Sequence, residues 1–196
     1  MRKMLAFTII ISVVALALIG CNQETVNSNV PKNFSFVLEY GVKGGGSNVL
    51  NTSEGTFEKD TVDGQIKTKL VLKEEDMQKI YDKIKELDLE EYPMGFKRRR
   101  SGIEPSGEWS LNIQYSGKEK YIAWTSNAFP PIDIESIEEV KKLDKTLAEM
   151  NIEKAQASGD EKLVKLYRIQ ELVHMITDII SGYDEYKELP ESRRYL

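Results

Sequence analysis

The sequence is poor in the side chains on which much hydrolytic and metal chemistry depends. Its 196 residues include one cysteine, Cys21, and one histidine, His174. A single cysteine excludes an intrachain disulfide and a multi-cysteine metal site. The Gly-x-Ser-x-Gly and His-Glu-x-x-His patterns of serine and zinc hydrolases are absent as well. The sequence therefore gives little support for an enzyme, and no cofactor is expected.

Long apolar runs are equally scarce, and the one present lies at the amino terminus. Arg2 and Lys3 precede fifteen mostly apolar residues, 5–19. At about 1.5 Å rise per residue, a helix of that length spans about 22 Å, which is short of the ~30 Å hydrocarbon core of a membrane. Cations, a short apolar run and then a small residue make the three parts of a secretory signal. We therefore expect residues 1–20 to be a removable signal peptide.

The apolar run ends in Leu18-Ile19-Gly20-Cys21, which resembles the lipobox of bacterial lipoproteins. The resemblance implies that Cys21 becomes the first mature residue and carries diacylglycerol on its sulfur. Two acyl chains, at about 0.8 kcal/mol per buried CH₂, would hold the protein stably on the extracytoplasmic face of the cell membrane. The alternatives are an uncleaved anchor and an ordinary secretory cut beside an incidental cysteine.

A polar segment, residues 21–32, follows and is predicted to be a flexible tether that reaches under about 40 Å. Removing residues 1–20 takes away two cations and no acid, so the formal charge falls from −5 to about −7. This excess of acid argues against a nucleic-acid partner. It also argues against a domain that lies flat on an anionic membrane, because like charges repel.

The alternation of apolar and polar residues predicts an antiparallel sheet of about five strands. Strands are expected near 33–41, 49–57 and 66–72, the second of them irregular. The clearest hairpin joins 109–115 to 120–125 through Ser116-Gly117-Lys118.

Helical spacing of apolar residues begins at Lys73 and predicts one helix that stops before Tyr92-Pro93. A second helical region is interrupted at Ser158-Gly159-Asp160, which predicts a helical hairpin that ends at Gly182. The predicted strands come mainly in the first part of the chain and the helical hairpin comes after them, an order that indicates a single α+β domain. Its expected parts are the strand-rich part 33–125, the helical hairpin 132–182 and the tail 183–196.

A basic run, Lys97-Arg98-Arg99-Arg100, lies in the loop predicted at 94–107. Clustered guanidinium groups suit bidentate contacts to phosphate or carboxylate, so lipid headgroups, wall phosphate polymers or an acidic protein patch are candidate partners. The alternative is a solvated charge run without a partner.

Three further groups of residues suggest sites, and a structural role is favoured for each. Glu171, His174 and Asp178 share one helix face, but a di-iron bundle needs two Glu-x-x-His pairs and this chain has one histidine, so no metal is expected. The glycines at 44–46 lack the strand, lysine and helix of a phosphate-binding loop and predict a turn. Four aromatic residues of the predicted hairpin are expected to pack in the core or on the sheet surface: Trp109, Tyr115, Tyr121 and Trp124.

Short motifs of the mature part resemble small uncharacterised lipoproteins of low-GC Gram-positive bacteria. They are Gly55-Thr56-Phe57-x-x-Asp60, Leu72-x-x-Glu75-x-x-x-x-Ile80-Tyr81 and Tyr186-Lys187-Glu188-Leu189-Pro190. The resemblance implies a fold and a location and no activity. The sequence thus favours a membrane-anchored binding or interaction module that engages an envelope protein or wall polymer. The alternatives are an envelope glycan hydrolase with paired carboxylates, and an immunity or stress lipoprotein that sequesters a toxin or wall enzyme.

Overall fold

The protein is described by a computed structural model over residues 29–96, 106–130 and 147–192. The predicted signal peptide, Cys21, the basic run Lys97 to Arg100 and the start of the predicted helical hairpin lie outside these residues. The expectations made for them stay predictions.

Six antiparallel strands form one sheet in the order β4-β3-β2-β1-β5-β6. The first four strands follow one another as a meander, and the β5–β6 hairpin adds to the free side of β1. The α+β fold predicted from the sequence is therefore confirmed. The strands are β1 Ser35–Val42, β2 Ser47–Asn51, β3 Thr56–Thr61, β4 Gly64–Lys69, β5 Gly107–Tyr115 and β6 Lys118–Thr125.

The strand count exceeds the expected five because the irregular strand predicted near 49–57 is two strands, β2 and β3. A tight turn separates them, in which the Asn51 side-chain oxygen accepts hydrogen bonds from the backbone N–H groups of Ser53 (3.1 Å) and Glu54 (3.3 Å). Gly55 completes the turn with φ of 64°. A short polar side chain that satisfies nearby backbone donors favours a turn over a continuous strand.

The helix between the strand groups is shorter than its sequence pattern predicts. Helix α1 spans Glu74–Leu87, and a 3₁₀ turn, Leu89–Glu91, follows it. Between them Asp88 adopts a left-handed conformation (φ 47°), which interrupts the α-helical hydrogen bonding. The apolar pattern continues through this break because Leu89 is buried like Leu87.

The helical hairpin is described from its first helix, α2 Leu147–Ala157, onward, with α3 Glu161–Ser181 as its second helix. The two helices pack against each other across the predicted break at Ser158–Asp160. A short helix, α4 Asp184–Lys187, follows. No helix among the described residues has the length and apolar character needed to cross a membrane.

The hydrophobic core lies between one face of the sheet and the helices α1 and α3. Alternate strand residues such as Phe36, Leu38 and Leu111 point to this face, as the period-2 pattern predicts. The α3 residues in the core recur at three- and four-residue spacing: Leu166, Ile169, Val173, Ile176 and Ile180.

The segments that border the described chain are held against this core. The backbone N–H of Asn29, within the predicted tether, donates to the Gln78 side chain of α1 at 2.9 Å. At the other border, Ser192 forms a bridge with Thr61 of β3. The segment predicted as a tail therefore returns to the sheet.

Candidate binding cleft

A cleft of about 450 Å³ opens at one end of the sheet, between the β1–β2 turn and the strands β5 and β6. Its volume lies in the range of about 300–1,000 Å³ that is typical of small-molecule sites. We call it the sheet-end cleft. It is lined by Glu39, Gly41, Val42, Gly44, Gly45, Gly46, Ser47, Phe96, Glu108, Trp109, Ser110, Tyr121, Ala123, Trp124 and Thr125.

Glycine lets the β1–β2 turn close tightly at the wall of the cleft. A Cβ at position 41 would lie 2.5 Å from the Gly46 carbonyl oxygen and 3.0 Å from the Ser47 Cα. Gly46 in turn lies against the Asp60 carboxylate. Side chains at either position would collide with these neighbours, so the turn keeps its shape only with glycine there. The glycine-rich segment is thus a hairpin turn, as its sequence predicts.

Two carboxylates, Glu39 and Glu108, belong to the same face of the sheet. In the β1–β5 register Glu39 opposes Ser110 and Gly41 opposes Glu108. The two glutamates are therefore diagonal neighbours, a placement that typically separates residues by about 7–8 Å. Both are exposed, and the Ser47 hydroxyl donates to Glu39 Oε1 at 2.7 Å.

The lining residues, all of them within the described part of the chain, include no lysine or arginine. Glu39 and Glu108 are therefore the charged groups among the described lining residues, and their carboxylates attract positively charged groups.

Aromatic side chains reach the cleft from both faces of the sheet. Trp109 and Trp124 are opposed on β5 and β6, with stacked rings whose centroids lie 6.2 Å apart at 12°. The Trp124 indole N–H donates to the side-chain oxygen of Gln170 on α3 at 2.9 Å, which fixes the ring. Tyr121, on the opposite face, is 45% exposed. By this register the tryptophan rings share the helix-covered face with Leu111. Tyr121 shares the open face with Glu39 and Glu108, so it is the accessible aromatic group beside the two carboxylates.

The chain on both sides of the basic run lies beside this cleft. Phe96 lines it, and the Phe96 N–H donates to the Ala123 carbonyl of β6 at 3.2 Å. On the other side, the Ser106 carbonyl accepts from the backbone N–H of Lys43 in the β1–β2 turn at 2.9 Å. Lys97, Arg98, Arg99 and Arg100 themselves lie outside the described residues.

The three residues considered for a metal site do not form one with other described residues. Glu171, His174 and Asp178 lie on α3, and His174 is exposed with its Nε2 3.4 Å from Gln170 Nε2. Within the described residues no three His, Cys, Asp or Glu side chains come together as a metal site would require.

The four aromatic residues predicted for core or sheet packing divide between two places. Trp109, Tyr121 and Trp124 line the cleft, whereas the Tyr115 hydroxyl donates to Glu90 at 3.1 Å, away from it. Sequence reasoning missed Glu39 and Glu108. Their alternation with apolar neighbours indicates that each lies on the polar face of its strand. The β1–β5 pairing that brings the two residues together is not visible in the sequence.

No protein-family model matches this sequence, and no curated protein matches it. The fold defines the class of the molecule: an α+β domain with helices on one face of an antiparallel sheet and an acidic, aromatic cleft at the sheet end.

Proposed function

We propose that the protein is a binding module, tethered through diacylglycerol on Cys21 to the extracytoplasmic face of the cell membrane, that holds a positively charged partner in the sheet-end cleft. The observation that carries the proposal is the open face of the cleft, where Glu39 and Glu108 lie with the exposed Tyr121 and where the described lining residues include no lysine or arginine. Carboxylates and aromatic faces both attract ammonium and guanidinium groups.

A basic segment of an envelope protein is the partner that best fits this chemistry. Lysine and arginine side chains carry an apolar stem as well as a charge, so they match a cleft with aromatic and acidic walls. A toxin or a wall enzyme with a basic surface belongs to the same class. Anionic wall polymers do not, since the two carboxylates would repel them.

The partner chemistry is tested by binding of an oligolysine peptide to the mature domain, measured by calorimetry. Replacing both glutamates, Glu39→Gln with Glu108→Gln, should weaken binding about two- to thirtyfold, because each exposed ion pair contributes roughly 0.2–1 kcal/mol. Glu185→Gln with Glu188→Gln is the matched control, since it removes the same number of charges from exposed residues of α4 and its end, outside the lining. Equal weakening by the control would mean that only net charge matters and would refute the cleft as the site.

The basic run Lys97 to Arg100 is proposed as a second contact to the same partner, for acidic groups that flank its basic segment. Replacing the four residues with serine should reduce capture of the partner from membranes by crosslinking while the fold stays intact by circular dichroism. If the serine variant captures the partner as well as the wild type does, the basic run is not a contact to the partner.

Hydrolysis of an envelope glycan is the second candidate because Glu39 and Glu108 are diagonal neighbours. Inverting glycosidases hold their two carboxyl groups about 6.5–9.5 Å apart. A general acid must also stay protonated near neutral pH, which usually needs an apolar environment, and both glutamates are exposed. Binding is therefore favoured. Release of reducing sugar from purified wall glycan that disappears in Glu108→Gln would reverse this preference.

The anchor has a test of its own. Cys21→Ser should block diacylglycerol transfer and signal-peptide cleavage, so that an unprocessed precursor accumulates on cell fractionation. Normal maturation and membrane retention of this variant would refute lipidation.

A further inference from the structure

A second cleft, of about 390 Å³, lies between the end of α1, the 3₁₀ turn and the connection from α2 to α3. None of its described lining residues belongs to the sheet-end cleft. We call it the helix-turn cleft. The proposed function uses none of its residues.

The floor of the helix-turn cleft is apolar. Leu87 at the end of α1, Tyr92 after the 3₁₀ turn and Ala155 on α2 are each at most 5% exposed, and all three line it. Val164 of α3 adds a half-buried aliphatic side chain. Three separate elements thus contribute apolar surface to one concave site, where a hydrocarbon group would be removed from water.

Two cationic residues of α3, Lys165 and Arg168, line the cleft beside these apolar residues. They are three residues apart and therefore lie on one face of the helix. The Lys165 ammonium donates to the Glu91 carbonyl at 2.8 Å and lies 5.6 Å from the centroid of the Tyr92 ring. Lys165 is thus held in place at the edge of the apolar surface. Among the described lining residues the one acid is Glu161, in the first turn of α3.

Arg168 is half-buried and forms no hydrogen bond or ion pair within the part of the chain that the structure describes. A guanidinium carries five N–H donors in a planar fork that matches a carboxylate or a phosphate. None of the Arg168 nitrogen atoms is buried without a partner, so the guanidinium is open to solvent and accessible to an anion that enters beside the apolar floor.

We infer that the helix-turn cleft binds an amphiphilic anion, a single acyl or alkyl chain with a carboxylate or phosphate headgroup. The chain lies on Leu87, Tyr92 and Val164, and the headgroup accepts hydrogen bonds from the Arg168 fork with Lys165 beside it. Charge complementarity selects this class: a neutral amphiphile forms no charge-assisted hydrogen bond with Arg168, and a small anion makes no contact with the apolar side of the cleft.

The test is isothermal titration of the mature domain with ten-carbon amphiphiles below their micelle concentrations. Decanoate and decyl phosphate should bind saturably, and the stronger of the two identifies the headgroup. Decanol and decyltrimethylammonium should bind at least about tenfold more weakly, because they lack the charge-assisted hydrogen bonds. Saturable binding that is equal for decanol and decanoate would overturn the inference, as would no binding of either anion.

Two variants assign the binding to Arg168. Arg168→Gln should weaken the binding of decanoate about tenfold. Arg168→Glu should reverse the selectivity of the cleft, so that decyltrimethylammonium binds more strongly than decanoate. Lys162→Gln is the matched control, because Lys162 is an exposed cation of the same helix outside the lining. Equal effects of Lys162→Gln and Arg168→Gln would refute the site. Glu39→Gln with Glu108→Gln should leave decanoate binding unchanged, so failure here is separable from failure of the proposed function.

Discussion

At the scale of single residues, Tyr183 joins the carboxyl-terminal segment to the start of α1. Its hydroxyl accepts a hydrogen bond from the Lys73 backbone N–H and donates one to Asp76 Oδ2, both at 2.7 Å. Lys79 pairs with the other Asp76 oxygen at 3.1 Å. Burial, followed by the hydrogen bond to Asp76, raises the pKa of Tyr183 to about 12.

The Tyr183→Phe substitution should therefore lower the free energy of unfolding by about 1–2 kcal/mol at pH 7, since two hydrogen bonds are lost. The folded-state pKa lies above the ordinary value of about 10. The stabilisation is thus complete below pH 10 and is lost as pH rises toward 12. Urea unfolding from pH 7 to 12 should show this loss as a difference between wild type and variant.

Tyr121→Phe is the control for Tyr183→Phe, because Tyr121 is 45% exposed and its hydroxyl has no hydrogen bond within the described residues. It should leave the free energy of unfolding at pH 7 unchanged. A Tyr183→Phe variant that keeps the wild-type slope above pH 10 would contradict the assignment.

Gly41 sets the shape of the cleft wall and gives a second prediction at this scale. An alanine Cβ would meet the backbone of Gly46 and Ser47, neither of which can rotate away. Gly41→Ala should therefore destabilise the domain by about 1–3 kcal/mol and weaken oligolysine binding. In Gly95→Ala the nearest atom is the Ala123 oxygen at 3.4 Å, so that variant should unfold at nearly the wild-type urea concentration. Equal urea midpoints for Gly41→Ala and Gly95→Ala would refute the close approach of position 41 to the backbone of Gly46 and Ser47.

At the scale of secondary structure, the elements with one buried face were predictable. β1, β5 and β6 alternate apolar and polar residues because the helices cover one side of the sheet, and α3 repeats its apolar residues at helical spacing for the same reason. The break between β2 and β3 was missed. It depends on hydrogen bonds from Asn51 rather than on apolar periodicity.

The start of α3 is a local feature that the sequence predicts and a variant can test. The Asp160 carboxylate accepts from the Leu163 backbone N–H at 3.0 Å, as an N-cap does. Asp160→Ala should cost about 1 kcal/mol, whereas Asp160→Asn, which keeps an acceptor oxygen, should retain most of the stability. Thermal unfolding followed by circular dichroism measures both. If asparagine costs as much as alanine, the cap bond contributes nothing and the interpretation is wrong.

At the scale of the whole molecule, the candidate site could not be predicted because it depends on strand order. Glu39 and Glu108 lie on strands that are distant in the sequence and adjacent in the sheet. The sequence indicates which face of each strand is polar, yet it does not indicate that β5 pairs with β1 rather than with β4. The aromatic residues were recognised because they are neighbours within one hairpin.

The carboxyl-terminal segment makes the cooperativity of this sheet testable. Tyr186 packs its ring against Phe57 with centroids 5.4 Å apart, and the buried Lys59 ammonium lies 4.6 Å from the same ring. Tyr186→Ala removes both contacts beside β3 and should cost about 2 kcal/mol, while the exposed neighbour Glu185→Ala should cost little.

The two tryptophans, Trp109 and Trp124, lie on β5 and β6, toward the opposite edge of the sheet from β3, beside which Tyr186 packs. If the described core unfolds as one unit, Tyr186→Ala must lower the urea midpoint equally by tryptophan fluorescence and by far-ultraviolet circular dichroism. A tryptophan midpoint that stays at the wild-type value would mean that β3, β4 and the tail unfold separately from the cleft. Coincident shifts would instead show that contacts made by the tail stabilise the strands that form the sheet-end cleft.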